Sequence, residues 1–332
     1  MPALKPIILP DIFLYVMIKN IAIAGAGISG MSTAIVLTGQ GHKVTIYASS
    51  FSPNITSDKA AAFWFPYHIR NDKRGIEWCN ITYRYYQQFA QQPATGISIH
   101  KLIKVLRKDV VEQEPIWPEF LPEGSYSMLP EHSLAPGLAK AYDVLVPLIE
   151  TQIFLPWLQH RLQEKGVNFI EEKLNTLDNL SVEYDLVVNC TGLGARTLCK
   201  DETMVPIRGQ VGLLSAGPDL PIYLDNEMPL YIVPRKDAII IGGTFEEGVE
   251  LAETQPSTIE YLLNNAYKVF PELRRQQVLG SWAGIRPYRP TVRVQREPGR
   301  NIIHNYGHGG SGFTLAFGCA ELVSEQVGLF TG

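Results

Sequence analysis

Asn20-Ile-Ala-Ile-Ala24-Gly25-Ala26-Gly27-Ile28-Ser29-Gly30-Met31-Ser32 is the stretch from which the rest of the chain can be ordered. Ile21 to Ala24 is a short apolar run of the kind that forms a buried strand. It enters Gly25-x-Gly27-x-x-Gly30, and Met31 to Leu37 then carries a helical pattern. Glycines at this spacing between a strand and a helix form a dinucleotide-binding arrangement; the bland alternative is a plain glycine turn. Gly25 permits the tight turn, Gly27 lets backbone approach a pyrophosphate, and Gly30 lets the helix pack close to the strand. Ala26, Ile28 and Ser29 sit at the helix start, where free N–H groups and a partial positive charge suit phosphate.

Working outward, Gly39 and Gly41 end the helix, and Lys43-Val-Thr-Ile-Tyr47 is a second strand that completes β-α-β. Such a unit usually carries a carboxylate about 20 residues past the glycines, to bind a ribose hydroxyl. Here the strand ends in Ser49 and Ser50, weaker partners than a charged acceptor, which argues against NAD. Two later segments repeat the opening logic. Tyr184 to Asn189 is a buried strand that meets Cys190-Thr191-Gly192. Asn301 to Asn305 is a strand that enters Tyr306-Gly307-His308-Gly309-Gly310-Ser311-Gly312, with a helix from Thr314 to about Phe330. One nucleotide cofactor held by three chain-distant turns accounts for all of them. The last loop opens a helix, and its positive end suits the pyrimidine side of a flavin.

Between these turns lie Ala60-Ala61-Ala62, small enough for a close approach, and the aromatics Trp64, Phe65 and Tyr67. Glu77 to Gln92 reads as a helix that buries Trp78, Tyr85 and Phe89. His100 to Arg107 reads as a strand within a proline-rich stretch from 95 to 136. Gln152 to Gly166 is an amphipathic helix, and Val167 to Ile170 a short strand. Residues 205–248 are strand-rich, with Leu230 to Pro234 and Ala238 to Gly242 forming an antiparallel hairpin. Ser257 to Phe270 is a helix. The expected fold class is α/β. A Rossmann-like nucleotide-binding domain (17–60, 142–200 and 285–330) interleaves with an α+β domain on an antiparallel sheet (61–141 and 201–284).

The chain has 332 residues, enough for two packed units, with 45% apolar residues and a net charge of −4. That charge leaves no basic footprint for nucleic acid, and no apolar run is long enough to span a membrane. Cys79, Cys190, Cys199 and Cys319 are far apart and read as reduced thiols of a cytoplasmic protein. Residues 1–16 are apolar but broken by Pro10 and Asp11, and lack a small-residue cleavage site. They read as a dispensable extension before Met17, and not as a secretory signal. His304 and His308 are separated by a glycine loop in place of a helix turn, so no zinc site is expected.

Gly284-Ile-Arg286-Pro-Tyr-Arg289-Pro-Thr-Val-Arg293 sets arginines among prolines. The proline after Arg286 restrains that residue to extended backbone, and a pre-set guanidinium fork suits a carboxylate. A salt-bridged surface arginine is the bland reading of any one of the three. Tyr231 lies on a strand, where most tyrosines simply pack.

Taken together, Gly25-x-Gly27-x-x-Gly30, Asp58-x-Ala60-Ala61, Trp64-x-Pro66-Tyr67, Asn189-Cys-Thr-Gly192, Arg208-Gly-Gln210, Tyr231-Ile-x-Pro234, Gly242-Gly243-x-Phe245, Gly284-x-Arg286-Pro-x-Arg289-Pro and His304-Asn-Tyr-Gly-His-Gly-Gly310 resemble the D-amino-acid oxidase family of flavoproteins, from Ile21 to about Phe330. The resemblance implies non-covalent FAD in the first domain and an amino acid in the second, with Arg286 clamping its carboxylate and Tyr231 assisting. Around the cofactor it implies Gly25 to Gly30, Ser49, Ser50, Ala60, Ala61, Ala62, Trp64, Thr191, Gly192, Arg286, Gly309, Gly310, Ser311, Gly312 and Thr314. Around the substrate it implies Phe65, Tyr223, Tyr231, Phe245, Arg286 and Ser311. The implied reaction is oxidative deamination to a 2-oxo acid, ammonia and peroxide, by hydride transfer to flavin N5 with dioxygen as acceptor.

Several positions depart from the family pattern. Ser49 and Ser50 replace the acid and arginine that bind adenosine. Ala62 stands where glycine is common. Phe65 replaces a polar residue, Glu227 a second tyrosine for which Tyr223 is a substitute, and Ser311 a tyrosine. Phe245, where a basic residue marks the D-aspartate branch, and the apolar Phe65 point to neutral or aromatic side chains. Glycine or secondary-amine oxidases and D-aspartate oxidase are the nearest alternatives. A nicotinamide dehydrogenase and a non-catalytic flavin-binding protein are more distant ones. The expected partners are the amino acid and dioxygen; a homodimer is left open.

Overall fold

The computed structural model describes residues 17–67, 69, 73–108 and 117–329; the expected extension, 1–16, lies outside them. The chain opens with β1 (Asn20–Ala24), α1 (Ile28–Gly39) and β2 (Lys43–Ala48). Then come α2 (Lys73–Phe89), β3 (Ile97–Arg107), β4 (Tyr126–Met128), β5 (Leu138–Ile149), α3 (Thr151–Glu164) and β6 (Asn168–Glu171). α4 (Asp178–Glu183), β7 (Leu186–Asn189), α5 (Ala195–Leu198), β8 (Val205–Ser215), β9 (Ile222–Asp225), β10 (Leu230–Pro234) and β11 (Ala238–Gly242) follow. β12 (Glu246–Glu247), α6 (Pro256–Val269), β13 (Val278–Arg296), β14 (Ile302–His308) and α7 (Gly312–Gly328) complete the described residues.

The strands form one sheet in the order β4-β5-β3-β9-β10-β11-β8-β13-β14-β7-β1-β2-β6, with β12 on β8. At one end β6, β2, β1, β7 and β14 are all parallel. In chain order they run 3-2-1-4-5, the doubly wound arrangement whose order reverses between β1 and β7. Period-two alternation gives this half two buried faces. Ile21 and Ile23 face the cluster built with α1, α2, α3 and α7; Ala22 and Ala24 face Leu177, Leu180 and Val187. The other half is antiparallel apart from the β3–β9 pair. α6 covers one of its faces through Leu262, Leu263 and Ala266. The α/β class expected from the sequence is therefore found.

Among the elements that differ from the sequence reading, three shape the site and its support. β5 lies just beyond the proline-rich stretch, where no element was read, and it pairs with β3 from Ile97 to Arg107. α2 buries Cys79, Tyr83 and Tyr86, with Trp78, Tyr85 and Phe89 half-buried beside them, so its inner face is turned by about one residue. The arginine- and proline-rich segment lies within β13, a strand of 19 residues. Pro287 is tolerated there because it faces Pro206 on β8, and Pro290 falls in the register shift between Tyr288 and Arg293. β13 also joins the halves, being antiparallel to β8 on one side and to β14 on the other. The expected domain limits at 141/142 and 284/285 fall inside β5 and β13.

β1 and α1 meet as closely as the glycines allow. A Cβ at Gly30 would overlap the Gly25 carbonyl oxygen, and one at Gly25, where φ is +109°, would overlap the Cys190 carbonyl. Neither obstacle is a side chain that can swing away. Gly30→Ala is therefore expected to cost about 3 kcal/mol, the upper range for overpacking. Urea unfolding of the purified variant checks this, and an unchanged midpoint would contradict it.

Candidate active site

A cavity of about 1080 Å³ lies along the C-terminal ends of β1, β7 and β14 and continues under the antiparallel half. Gly25, Ala26, Gly27, Ile28 and Ser29 line it, as do Ser49 and Ser50, Ala60, Ala61 and Ala62, and Thr191 and Gly192. Gly309, Gly310, Gly312 and Thr314 close it from the last loop, and Phe65, Tyr231 and Arg286 from the far wall. These expected residues, drawn from all parts of the chain, are thus brought together.

Five expected residues are not on the cavity wall. Gly30 lies beneath it and acts through helix packing. Trp64 is sealed in the core, because alternation turns it away from Phe63 and Phe65; its indole N–H donates to the Cys79 carbonyl at 3.2 Å. Tyr223 points to the opposite face of β9 from Leu224. It packs edge-on against Phe270 under α6, so it does not substitute for a second cavity tyrosine. Phe245 is 41% exposed, carried outward by the turn into β12. Ser311 is buried, and its hydroxyl donates to the Tyr67 carbonyl at 2.5 Å, so it holds a neighbouring segment.

The far wall is built around Arg286. Its Nη1 donates to the Thr244 carbonyl at 2.9 Å. A Cβ at Gly209, opposite Gly284 on the paired strand, would overlap the guanidinium. Tyr231 stands close enough to Arg286 to feel its charge, and its ring lies on Gly242 and Gly243, where any Cβ would overlap it. Burial raises the hydroxyl of Tyr231 above the ordinary phenol range, partly offset by the nearby Arg286 charge. It stays protonated and able to donate at neutral pH.

Tyr67, quoted in a sequence motif but given no role, joins this pair. Burial raises its hydroxyl too, and it feels the charge of Arg286. A Cβ at Gly310 would stand 3.0 Å from the Tyr67 ring and 3.5 Å from Arg286 Cδ, so the terminal glycine loop touches both. Thr314 ties the start of α7 to Phe65: its hydroxyl donates to the Phe65 carbonyl at 2.9 Å and accepts from the Phe65 N–H at 3.3 Å. Phe65 rests on Trp117, and Phe63 sits edge-on to Tyr231. Other wall residues were not singled out by sequence: Asn54, Ser57, Glu172, Lys173, Leu174 and Asn175. Each lies outside a glycine turn, and only the sheet order brings the segment after β6 beside β2.

The wall fits a dinucleotide. α1 and α7 both point their N-termini at the cavity, and neither has an acidic residue in its first turn or a side-chain cap. The first N–H of α1, on Ile28, meets the Ser57 hydroxyl at 3.0 Å. Two buried polar atoms of wall residues, Asn305 Oδ1 and His308 Nε2, have no protein partner. Burial holds the His308 ring down to about 4, so it is neutral and can accept or donate toward a bound group.

Residues 20–326 match the family model described as FAD dependent oxidoreductase, DAO. The chain is 36% identical over 318 residues to the D-amino-acid oxidase of Rubrobacter xylanophilus, covering 94% of this chain and 96% of that protein. It is 31% identical over 311 residues to the D-amino-acid oxidase of Streptomyces coelicolor, covering 91% and 94%. Among solved structures, the glycine oxidase of Geobacillus kaustophilus shares the fold, with a TM-score of 0.76, 18% identity and coverage of 93% and 94%.

One wall residue is strained. Ala62 has φ of +39°, in the left-handed region, and its carbonyl accepts from the Ile149 N–H at 2.9 Å. Left-handed backbone costs an L-residue about 1–2 kcal/mol, while glycine gives back about 0.4–1 kcal/mol through the unfolded chain. Ala62→Gly is expected to gain about 1 kcal/mol in denaturant unfolding; a loss would contradict the strain.

Proposed function

Because the chain belongs to the FAD dependent oxidoreductase (DAO) family, we propose that it oxidises D-amino acids with neutral or aromatic side chains to 2-oxo acids, ammonia and hydrogen peroxide. The observation that carries this reading is the Arg286–Tyr231 pair at one end of a dinucleotide-sized cavity. The D-handedness rests on the likeness to relatives named D-amino-acid oxidases.

FAD, when bound, supplies the two-electron acceptor for the substrate Cα–H and passes the electrons to dioxygen. The protein's part is orientation. Arg286 takes the substrate carboxylate through the guanidinium edge left over from Thr244, and Tyr231 and Tyr67 offer phenolic hydrogens to the same anion. No side chain is required as a base if the amine binds neutral. The imine product hydrolyses to the keto acid and ammonia. Thr314 holds Phe65 in place, and the glycine loop packs on Arg286 and Tyr67.

The preference for neutral side chains is supported by Phe63, Phe65, Leu224 and Pro229 on the cavity wall. Arg107, a nearby cation on β3, is bonded to Asp225 at 2.8 Å through Nε and 2.7 Å through Nη2. The division into a cofactor domain (17–60, 142–200, 285–330) and a substrate domain (61–141, 201–284) belongs to the same proposal, joined along β13. So do a cytoplasmic location, for which the four free cysteines speak, and a homodimer. Among the described residues no helix is long and apolar enough to cross a membrane.

A peroxide assay across D- and L-amino acids, sarcosine and glycine, with added FAD, tests the reading. Best turnover on D-aspartate, or on sarcosine with none on D-alanine, would defeat it. Arg286→Ala should lower kcat/KM by about 10²–10³, the cost of removing one partner of a desolvated charge pair. Tyr231→Phe should lower it by about tenfold, one hydrogen bond. Unchanged peroxide production by Arg286→Ala would overturn the clamp.

A further inference from the structure

The cavity has no carboxylate where β2 ends, because Ser49 and Ser50 stand there, and the Ser50 hydroxyl is already given to the Asn54 carbonyl at 3.2 Å. The neighbouring strand has one. β6 runs parallel to β2 with Glu171 opposite Ala48, and the Glu172 N–H donates to the Ala48 carbonyl at 2.8 Å. Glu172 therefore stands beside Ser49 at the same edge of the sheet, and both line the cavity with Tyr47 and Asn54. Its charge is felt on that wall: burial and the Tyr184 hydrogen bond raise the Tyr47 hydroxyl first, and Glu183 and Glu172 add to the shift. Neighbouring strands lie about 4.8 Å apart, a span that an extended glutamate side chain covers.

We propose that Glu172 supplies the carboxylate that accepts hydrogen bonds from the adenosine ribose of FAD, an acid moved one strand sideways from the end of β2. The proposal rests on the FAD-oxidase reading above. A carboxylate at the end of the second strand accepts from ribose hydroxyls in dinucleotide folds. The end of β6 offers the same chemistry here from the outer strand, at the solvent-facing end of the cavity. Glu172 is exposed, so its charge is not sustained by any need of the core. The group it would read is one that FAD has and FMN lacks.

Dissociation constants of FAD and of FMN, from quenching of flavin fluorescence by the full-length chain, test this for wild type and Glu172→Gln. Thermal unfolding without flavin reports any loss of fold. Glu172→Gln should weaken FAD about tenfold, the loss of one charge-assisted hydrogen bond, and leave FMN unchanged. Equal FAD affinity in the two proteins, or the same loss for FAD and FMN, would overturn the role of Glu172. A wild-type chain that bound neither flavin would overturn the FAD-oxidase reading itself.

Discussion

A guanidinium fixed at the seam between two half-sheets is the constraint on which the rest of the site depends. Arg286 lies on β13, the strand that is antiparallel to β8 on one side and to β14 on the other. Its charge is half-buried, bonded to a neutral carbonyl and set beside a neutral phenol. Neither partner cancels the charge, so the cavity carries positive potential where an anionic substrate group would sit. The neighbouring glycines follow from this placement. Gly209, Gly242 and Gly243 leave room for Arg286 and Tyr231, and Gly310 lets the terminal loop come down on both Arg286 and Tyr67.

The opposite side of the cavity is governed by backbone. Three parallel strands end in glycine turns at one edge, and the sheet order reverses between β1 and β7, so a crevice opens there. Two helices start at that crevice without acidic first turns, and their partial charges add. Small residues keep the helices close. The Ser32 hydroxyl donates to the Ala316 carbonyl at 3.1 Å, tying α1 to α7, and the Ser29 hydroxyl donates to the Asn305 carbonyl at 3.0 Å, tying α1 to β14. The turns are thus one rigid cradle, although they lie far apart in the chain.

Much of this was legible because glycine spacing and strand–helix alternation are local signals. The turns at 25–30, 190–192 and 307–312 read correctly, as did the hairpin of β10 and β11. What was not legible depended on which way a side chain points. Trp64 and Phe65 are neighbours, yet one enters the core and the other the cavity. Tyr223 and Leu224 part in the same way across β9, and a motif cannot distinguish the two outcomes. β13 was hidden because its prolines argue against a central strand; only Pro206 opposite and the register shift near Pro290 make it tolerable. Glu172 was hidden for another reason: its relation to Ser49 exists only once β6 is known to flank β2.

The two ends of the cavity differ in burial, and this separates their chemistry. Ser49, Asn54, Glu172 and Lys173 are all exposed, so charged contacts at that end are screened and contribute modestly. At the other end Phe65 is buried, and desolvation raises the hydroxyls of Tyr67 and Tyr231. The phenols there are partly withdrawn from solvent, and an ion pair to Arg286 is correspondingly stronger than at the exposed end. The same desolvation keeps both phenols protonated, so they remain donors beside the cation and do not become anions competing with a substrate carboxylate. A cofactor lying along the cavity would therefore be held at a solvated end and meet its substrate at a less solvated one, where a displaced clamp costs most.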